Sequence, residues 1–175
     1  MDSLAAFEQE VTSLFSKLPM IVQKIDLPRV CLLSDEATIS TLSYPGIYRI
    51  DIATDDGGGD LESWLNTFKG EWEPPDKFRS TPKTQKRRMN AHKELLEWMP
   101  LYLGKAKNIA RRVNEHINLE SEKSTFALKL NGRKAMTNRS FRLHVLRLGE
   151  ESYDLLAPPL EATLRNLYNP VVGKQ

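Results

Sequence analysis

The run 99–117 restricts the fold more than any other part of the chain. It starts with an apolar stretch, Met99, Leu101, Tyr102 and Leu103, which suits a short strand over 99–103. Gly104 is expected to break that strand. Residues 106–117 then read as a helix, because Ile109, Val113 and Ile117 recur every four residues and mark one apolar face. Arg112 and His116 share that spacing, so a cation and an imidazole lie one turn apart on another face. Tyr102 and Lys105 stand at the helix's N-terminal mouth, where free N–H groups and the helix dipole favour anions.

The rest of the chain bounds what can surround this unit. Its 175 residues fit one domain. Cys31 is the single cysteine, which excludes an internal disulfide and a cysteine-based zinc site, and it reads as a buried apolar residue in a reducing compartment. The acidic start, Met1-Asp-Ser-Leu, lacks the cationic and apolar regions of a signal peptide. No apolar run reaches the length of a membrane span. The expectation is a soluble, intracellular, cytoplasmic protein with no membrane partner.

Ser3 can cap a helix over 3–17, with Leu4, Phe7, Val11, Leu14 and Phe15 forming a packing face. Residues 18–36 read as a connection with a short strand. The region 39–53 reads as the first convincing strand, with Ile50 and Ile52 on one side, and the glycine-rich 55–60 as the turn that ends it. Residues 55–98 then form a separate lobe of two helices. Asp60 caps the first, with Leu61, Trp64, Leu65 and Phe68 on one face. The second starts after Pro82 and runs to about Trp98. Trp64, Trp72 and Trp98 read as packing of this lobe, although Trp72 among prolines could be exposed; His92 and His144 read as structural or surface residues. After the 106–117 helix come two candidate strands, 125–130 and 141–148. Pro158 and Pro159 are expected to precede a last helix over 160–168, ended by Asn169-Pro170. The fold class is therefore α/β (α+β): a small mixed or antiparallel sheet flanked by helices, with an inserted helical lobe and an N-terminal helix.

Three motifs occur in a meaningful order: Gly46-Ile47-Tyr48, then Tyr102-Leu103-Gly104 with Lys105, Arg112 and His116 after it, then Leu160-Glu161-Ala162-Thr163-Leu164. This order resembles the GIY-YIG endonuclease superfamily, over 42–55 and 99–175. The resemblance divides the chain into 1–41, an N-terminal helix and connection; 42–54 plus 99–175, the nuclease-like core; and 55–98, an insertion that most relatives lack. It implies that Glu161 holds one Mg²⁺ or Mn²⁺ ion, that Arg112 contacts the scissile phosphate and that Tyr48 is the general base. By the same resemblance, Tyr102 and Lys105 flank the phosphate and the attacking water, and His116 orients a neighbour or relays a proton. Many relatives carry an asparagine shortly after the glutamate helix; that place falls near Gly173 here, so Asn169 is a weak substitute.

Phosphodiester hydrolysis needs these types of group: a proton acceptor for water, cations for the charge that develops on phosphorus, and a carboxylate for a divalent metal. Residues 77–93 concentrate positive charge in a nearly neutral chain, and Lys83, Lys86, Arg87 and Arg88 are candidate nucleic-acid contacts. Gln85 and Asn90 join Arg87 and Arg88 as candidate base readers. Arg133 and Lys134 form a second basic group. The expected partner is double-stranded DNA. The compact core with a long insertion resembles the family's restriction enzymes, and a palindromic cutter would act as a homodimer. The alternatives are a non-cleaving nucleic-acid-binding module of the same fold, or a non-specific or repair nuclease.

Overall fold

The computed structural model describes residues 3–54, 60–73 and 78–173. The predicted turn over 55–59, Pro74, Pro75 and the basic Lys77 lie outside the described residues. The elements run α1 Ser3–Ser16, α2 Leu18–Val22, β1 Arg29–Leu32, α3 Glu36–Ser40, β2 Gly46–Ala53, α4 Leu61–Trp72, β3 Lys83–Thr84, α5 Lys86–Met89, β4 Trp98–Ala106, α6 Ile109–Asn118, β5 Phe141–Arg147, α7 Glu150–Tyr168 and β6 Val172–Gly173. Two short 3₁₀ turns, Leu130–Gly132 and Lys134–Met136, precede β5. Strands β1, β5, β2 and β4 form one sheet in that order, every pair antiparallel, and β3 pairs with β6 separately. Among the described residues no helix is long and apolar enough to cross a membrane.

Strand β2 is paired on both sides and buried from Gly46 to Ile52. A Cβ on Gly46 would sit 2.3 Å from the carbonyl oxygen of Leu146, so only glycine lets β5 approach here. Because side chains alternate along a strand, Tyr48, Ile50 and Ile52 join one core with Ile109 and Val113 of α6. Ile47 joins the other with Leu103, Leu160, Leu164 and Val22. The insertion does not stand apart, since Phe68, Trp72 and Met89 belong to the first core.

Several elements differ from the sequence expectations. Strand β4 does not stop at Gly104 but continues to Ala106, so α6 starts only at Ile109. Its buried stripe is Ile109, Val113 and His116, with Ile117 half-buried. The strand expected over 39–53 begins at Gly46. Asp35 caps α3 instead, its Oδ1 accepting from the Thr38 N–H at 3.0 Å. Helix α7 starts eight residues before Pro158 and contains both prolines. Glu150 and Glu151 favour that start by facing the helix's positive end, and burial of Tyr153, Ala157 and Leu160 offsets the two lost helix bonds. The predicted helix over 83–98 shrinks to α5, and 125–130 is irregular chain rather than a strand. Helix α1 forms as expected but buries none of its residues, so it is not a packing helix in this chain.

Candidate active site

The third letter of the second motif shows how the site is assembled. Tyr48 of β2 lies opposite Gly104 of β4. A Cβ at Gly104 would come within 2.7 Å of the Tyr48 hydroxyl and 2.9 Å of Tyr102 Cε1. The two tyrosines therefore occupy the space that any larger residue would need, and the ring centroids are 6.2 Å apart. Glycine here is a packing requirement inside a strand, not a break in it.

Helix α6 closes over the tyrosines. Asn108 caps it, its Oδ1 accepting from the Arg111 N–H at 2.8 Å. One turn past Arg112, His116 is fully enclosed and stacks obliquely on Tyr102, with centroids 4.8 Å apart. The Leu128 N–H donates to His116 Nδ1 at 3.0 Å. A neutral imidazole whose Nδ1 accepts must carry its proton on Nε2. His116 Nε2–H therefore donates to the Tyr48 hydroxyl oxygen, 2.7 Å away. Burial, reinforced by the Arg112 charge, pushes the His116 pKa well below its ordinary 6.5, which keeps the ring neutral. Of the two roles left open for His116, orienting Tyr48 fits this geometry. Relaying the Tyr48 proton would require Nε2 to accept it.

Arg112 is half-buried. Its guanidinium donates to Glu115 Oε2 at 2.6 Å and to the Phe126 carbonyl oxygen. Burial alone would weaken its hold on its proton, but Tyr48 and Glu115 reverse this and keep it charged. Burial raises the Tyr48 phenol well above its ordinary 10.0, and nearby Tyr102 adds to it; the Arg112 charge opposes both without overcoming them. Burial also raises Tyr102, which lies within the electrostatic reach of Arg112, Glu161 and Arg165. Tyr48 is 0% exposed and Tyr102 is 8% exposed, so Tyr102 is the tyrosine nearer solvent.

Glu161 approaches from α7. Lys105 follows Gly104 in β4, so alternation sends its side chain toward α7, where Nζ pairs with Glu161 Oε2 at 2.7 Å. Arg165, one turn further along α7, pairs with Glu161 Oε1. Sequence reasoning missed Arg165, although an acid followed four residues later by a cation on one helix was a readable signal. It also missed the 126–128 segment, whose backbone holds both Arg112 and His116; no side-chain pattern marks such a role. Among the described residues, no group of three His, Cys, Asp or Glu side chains could hold a metal. Glu161 offers a single carboxylate, and both of its oxygens are paired with cations; an ion held there would have to take its other ligands from water and phosphate oxygens.

The remaining candidates divide. Lys83, Lys86, Arg87 and Lys134 are exposed, and Arg88 is half-buried. Arg133 is 2% exposed and cannot meet DNA. It stacks on Trp72 and Phe78, at 3.9 and 4.5 Å from the ring centroids, and bonds to the carbonyls of Leu128 and Trp72 and to Thr81 Oγ1. Burial lowers its pKa to about 10. Arg133 therefore ties the insertion to the 126–128 segment. Trp72 is buried too, its Nε1 donating to the Pro82 carbonyl at 2.8 Å. Asn169 ends α7 in the left-handed region at φ 48°, where asparagine is tolerated, and its carbonyl accepts from His92 Nε2 at 2.8 Å. His144 is structural: it lies beside Asp51, with Nε2 3.1 Å from the carboxylate.

The chain matches no protein-family model, no curated protein and no solved structure.

Proposed function

We propose that this chain is a metal-dependent endonuclease that hydrolyses phosphodiester bonds in double-stranded DNA, in a restriction or phage-defence role and in the cytoplasm. The observation that carries the reading is convergence. Tyr48, Tyr102, Lys105, Arg112, His116 and Glu161 come from two strands and two helices spread over the chain, yet Tyr48, Tyr102 and His116 pack together, Lys105 pairs with Glu161, and the charges of Arg112 and Glu161 are both felt at the two tyrosines. A buried tyrosine–histidine pair within reach of a charged arginine, with a lysine–glutamate pair in electrostatic range, suits phosphoryl transfer.

In this reading Arg112 neutralises charge on the scissile phosphate. Its anchors at Glu115 and Phe126 fix where the guanidinium sits before substrate arrives. Lys105 and Arg165 release Glu161 toward the ion and add positive charge at the phosphate. Mg²⁺ or Mn²⁺, when bound by Glu161, supplies Lewis-acid stabilisation of the phosphate and leaving oxygen. His116 holds the Tyr48 hydroxyl by donating to its oxygen, a contact that strengthens if the phenol loses its proton. Tyr48 is the base by family resemblance. Burial holds both phenols protonated, so Tyr48 accepts the water's proton only as the phenolate, its own proton having first left to solvent; Tyr102, nearer solvent, is the better placed to touch the attacking water. Exposed Lys83, Lys86, Arg87 and Lys134 supply salt-sensitive attraction to the DNA backbone.

A second reading, a DNA-binding module that does not cut, is favoured by one observation: Tyr48 is wholly enclosed and both Glu161 oxygens are already paired. Incubating the chain with plasmid DNA in Mg²⁺, Mn²⁺ or EDTA decides between them. Metal-dependent nicking or linearisation supports the nuclease. Salt-sensitive binding with no cleavage in either metal supports the module.

A further inference from the structure

Helix α1 is 14 residues long and buries none of them. A helix of that length is marginal in water on its own, and packing of an apolar face is what usually holds one. The face is present. Leu4, Phe7, Val11 and Leu14 alternate at steps of three and four, and Leu18 and Ile21 continue the same repeat into α2. Lys17, between the two helices, keeps helical backbone angles at φ −83° and ψ −13°, so the repeat carries into α2. Val22 of α2 is buried in the second core with Ile47 and Leu103, which anchors this segment to the body.

Size and charge indicate what covers the stripe. Leu4, Phe7, Leu14 and Phe15 of α1, with Met20 and Ile21 of α2, are between 39% and 64% exposed. At about 200 Å² for each large side chain, they leave on the order of 600 Å² of apolar surface open, the upper end for a monomer. Two such surfaces face to face bury on the order of 1,200 Å², where specific interfaces begin. Glu8 and Glu10 flank the stripe, and α1 contains no Lys or Arg. Helices that lie on membranes carry cations on their polar face, so the charge of α1 points away from lipid and toward protein.

We propose that α1 and the start of α2 pair, antiparallel, with the same segment of a second copy of this chain. In a heptad Leu4, Val11 and Leu18 take the a positions and Phe7, Leu14 and Ile21 the d positions, which makes Glu10 and Lys17 successive g residues. Both are exposed. Their charges select one register. With Val11 opposite Leu14 of the second copy, Glu10 meets Lys17 of the second copy, and two-fold symmetry forms that ion pair twice. The other antiparallel register, with Phe7 opposite Val11, sets Glu10 against Glu10 and Glu8 against Glu8. A parallel pair sets Glu10 against Phe15 and forms no ion pair. The pairing draws only on α1 and α2, so it stands or falls apart from the nuclease reading.

Sedimentation equilibrium of the full chain over the micromolar range is the test. Wild type sediments as a dimer that dissociates on dilution. Phe7→Gln with Leu14→Gln sediments as a monomer; both side chains are exposed, so the monomer's own core does not depend on them. Glu10→Lys alone and Lys17→Glu alone each set like charges together twice and weaken the dimer about tenfold, and the two combined restore it. Wild type that is monomeric throughout overturns the pairing. If that monomer also co-sediments with phosphatidylcholine–phosphatidylserine vesicles, the stripe belongs to a membrane instead. A dimer that survives Phe7→Gln with Leu14→Gln overturns it by placing the contact elsewhere. A dimer indifferent to both single charge changes overturns the antiparallel register.

Discussion

Tyr48→Phe removes one oxygen and isolates one proton. The Leu128 N–H holds His116 Nδ1 as an acceptor, so the ring proton stays on Nε2, and its acceptor is the Tyr48 oxygen 2.7 Å away. Both rings are 0% exposed, so water cannot replace the lost partner. A buried donor left unsatisfied costs about 1–3 kcal/mol. For a chain of this length each kcal/mol moves the midpoint by roughly 2–4 °C, which gives a drop of about 2–12 °C for Tyr48→Phe. Thermal unfolding followed by circular dichroism measures it, and a cycle with His116→Leu isolates the pair. The double variant should recover about 0.5–3 kcal/mol relative to the sum of the single ones, because it removes donor and acceptor together. Nitrogen NMR of His116 should show a protonated Nε2 and an unprotonated Nδ1. A Tyr48→Phe chain as stable as wild type, or a proton found on Nδ1, would refute the reasoning and reopen His116 as a relay.

The other predictions concern packing and charge. Gly104→Ala places a methyl group 2.7 Å from the Tyr48 hydroxyl, so it should cost about 1–3 kcal/mol in a denaturant melt and abolish any cleavage by displacing both tyrosines. Asp51 is buried under Arg49 and Arg142, at 2.7 and 2.9 Å. Asp51→Asn should destabilise by roughly 3–5 kcal/mol, because the cations remain without their counter-charge. Acid should destabilise the wild type in two stages. His116, held below its ordinary 6.5, cannot take up a proton that the unfolded chain binds, so stability falls as pH drops through that range. Burial raises the Asp51 carboxyl but His144 and Arg49 outweigh it and hold it below the usual 3.8, so its contribution is present above that value and is lost as pH falls further. A pH series of unfolding free energies checks both limbs, and Asp51→Asn should flatten the lower one. Finally, Arg133→Met should lower the Tm and leave DNA affinity unchanged, whereas Lys86→Ala with Arg87→Ala should weaken salt-sensitive DNA binding and leave the Tm unchanged.

Much of the core was legible because its signals are local. Alternation in Gly46–Ala53 and the four-residue spacing of Ile109 and Val113 express burial directly. The two tyrosine motifs and the glutamate helix singled out Tyr48, Tyr102, Lys105 and Glu161, and the fold packs Tyr48 with Tyr102 and pairs Lys105 with Glu161. What stayed hidden depends on partners distant in sequence. Gly104 reads as a break until Tyr48 is seen opposite it. Arg133 reads as a surface cation until Trp72 and Phe78 are seen to enclose it. The residues of α7 before Pro158 read as lying outside the last helix, because the proline penalty is local while the burial that offsets it is not. Helix α1 shows the opposite case: its amphipathic pattern predicted packing, yet it buries none of its residues and of its apolar face only Val11 is half-buried.

The most direct test of the central claim is cleavage of plasmid DNA in Mg²⁺ by wild type beside Arg112→Ala and Glu161→Ala, with folding of each verified by its melt. The account predicts metal-dependent cleavage by wild type and a loss of about 10²–10³-fold or more in each folded variant, since each removes charge stabilisation at the transition state. Cleavage by wild type that both variants retain in full would contradict it, and would place any nuclease chemistry elsewhere on the molecule.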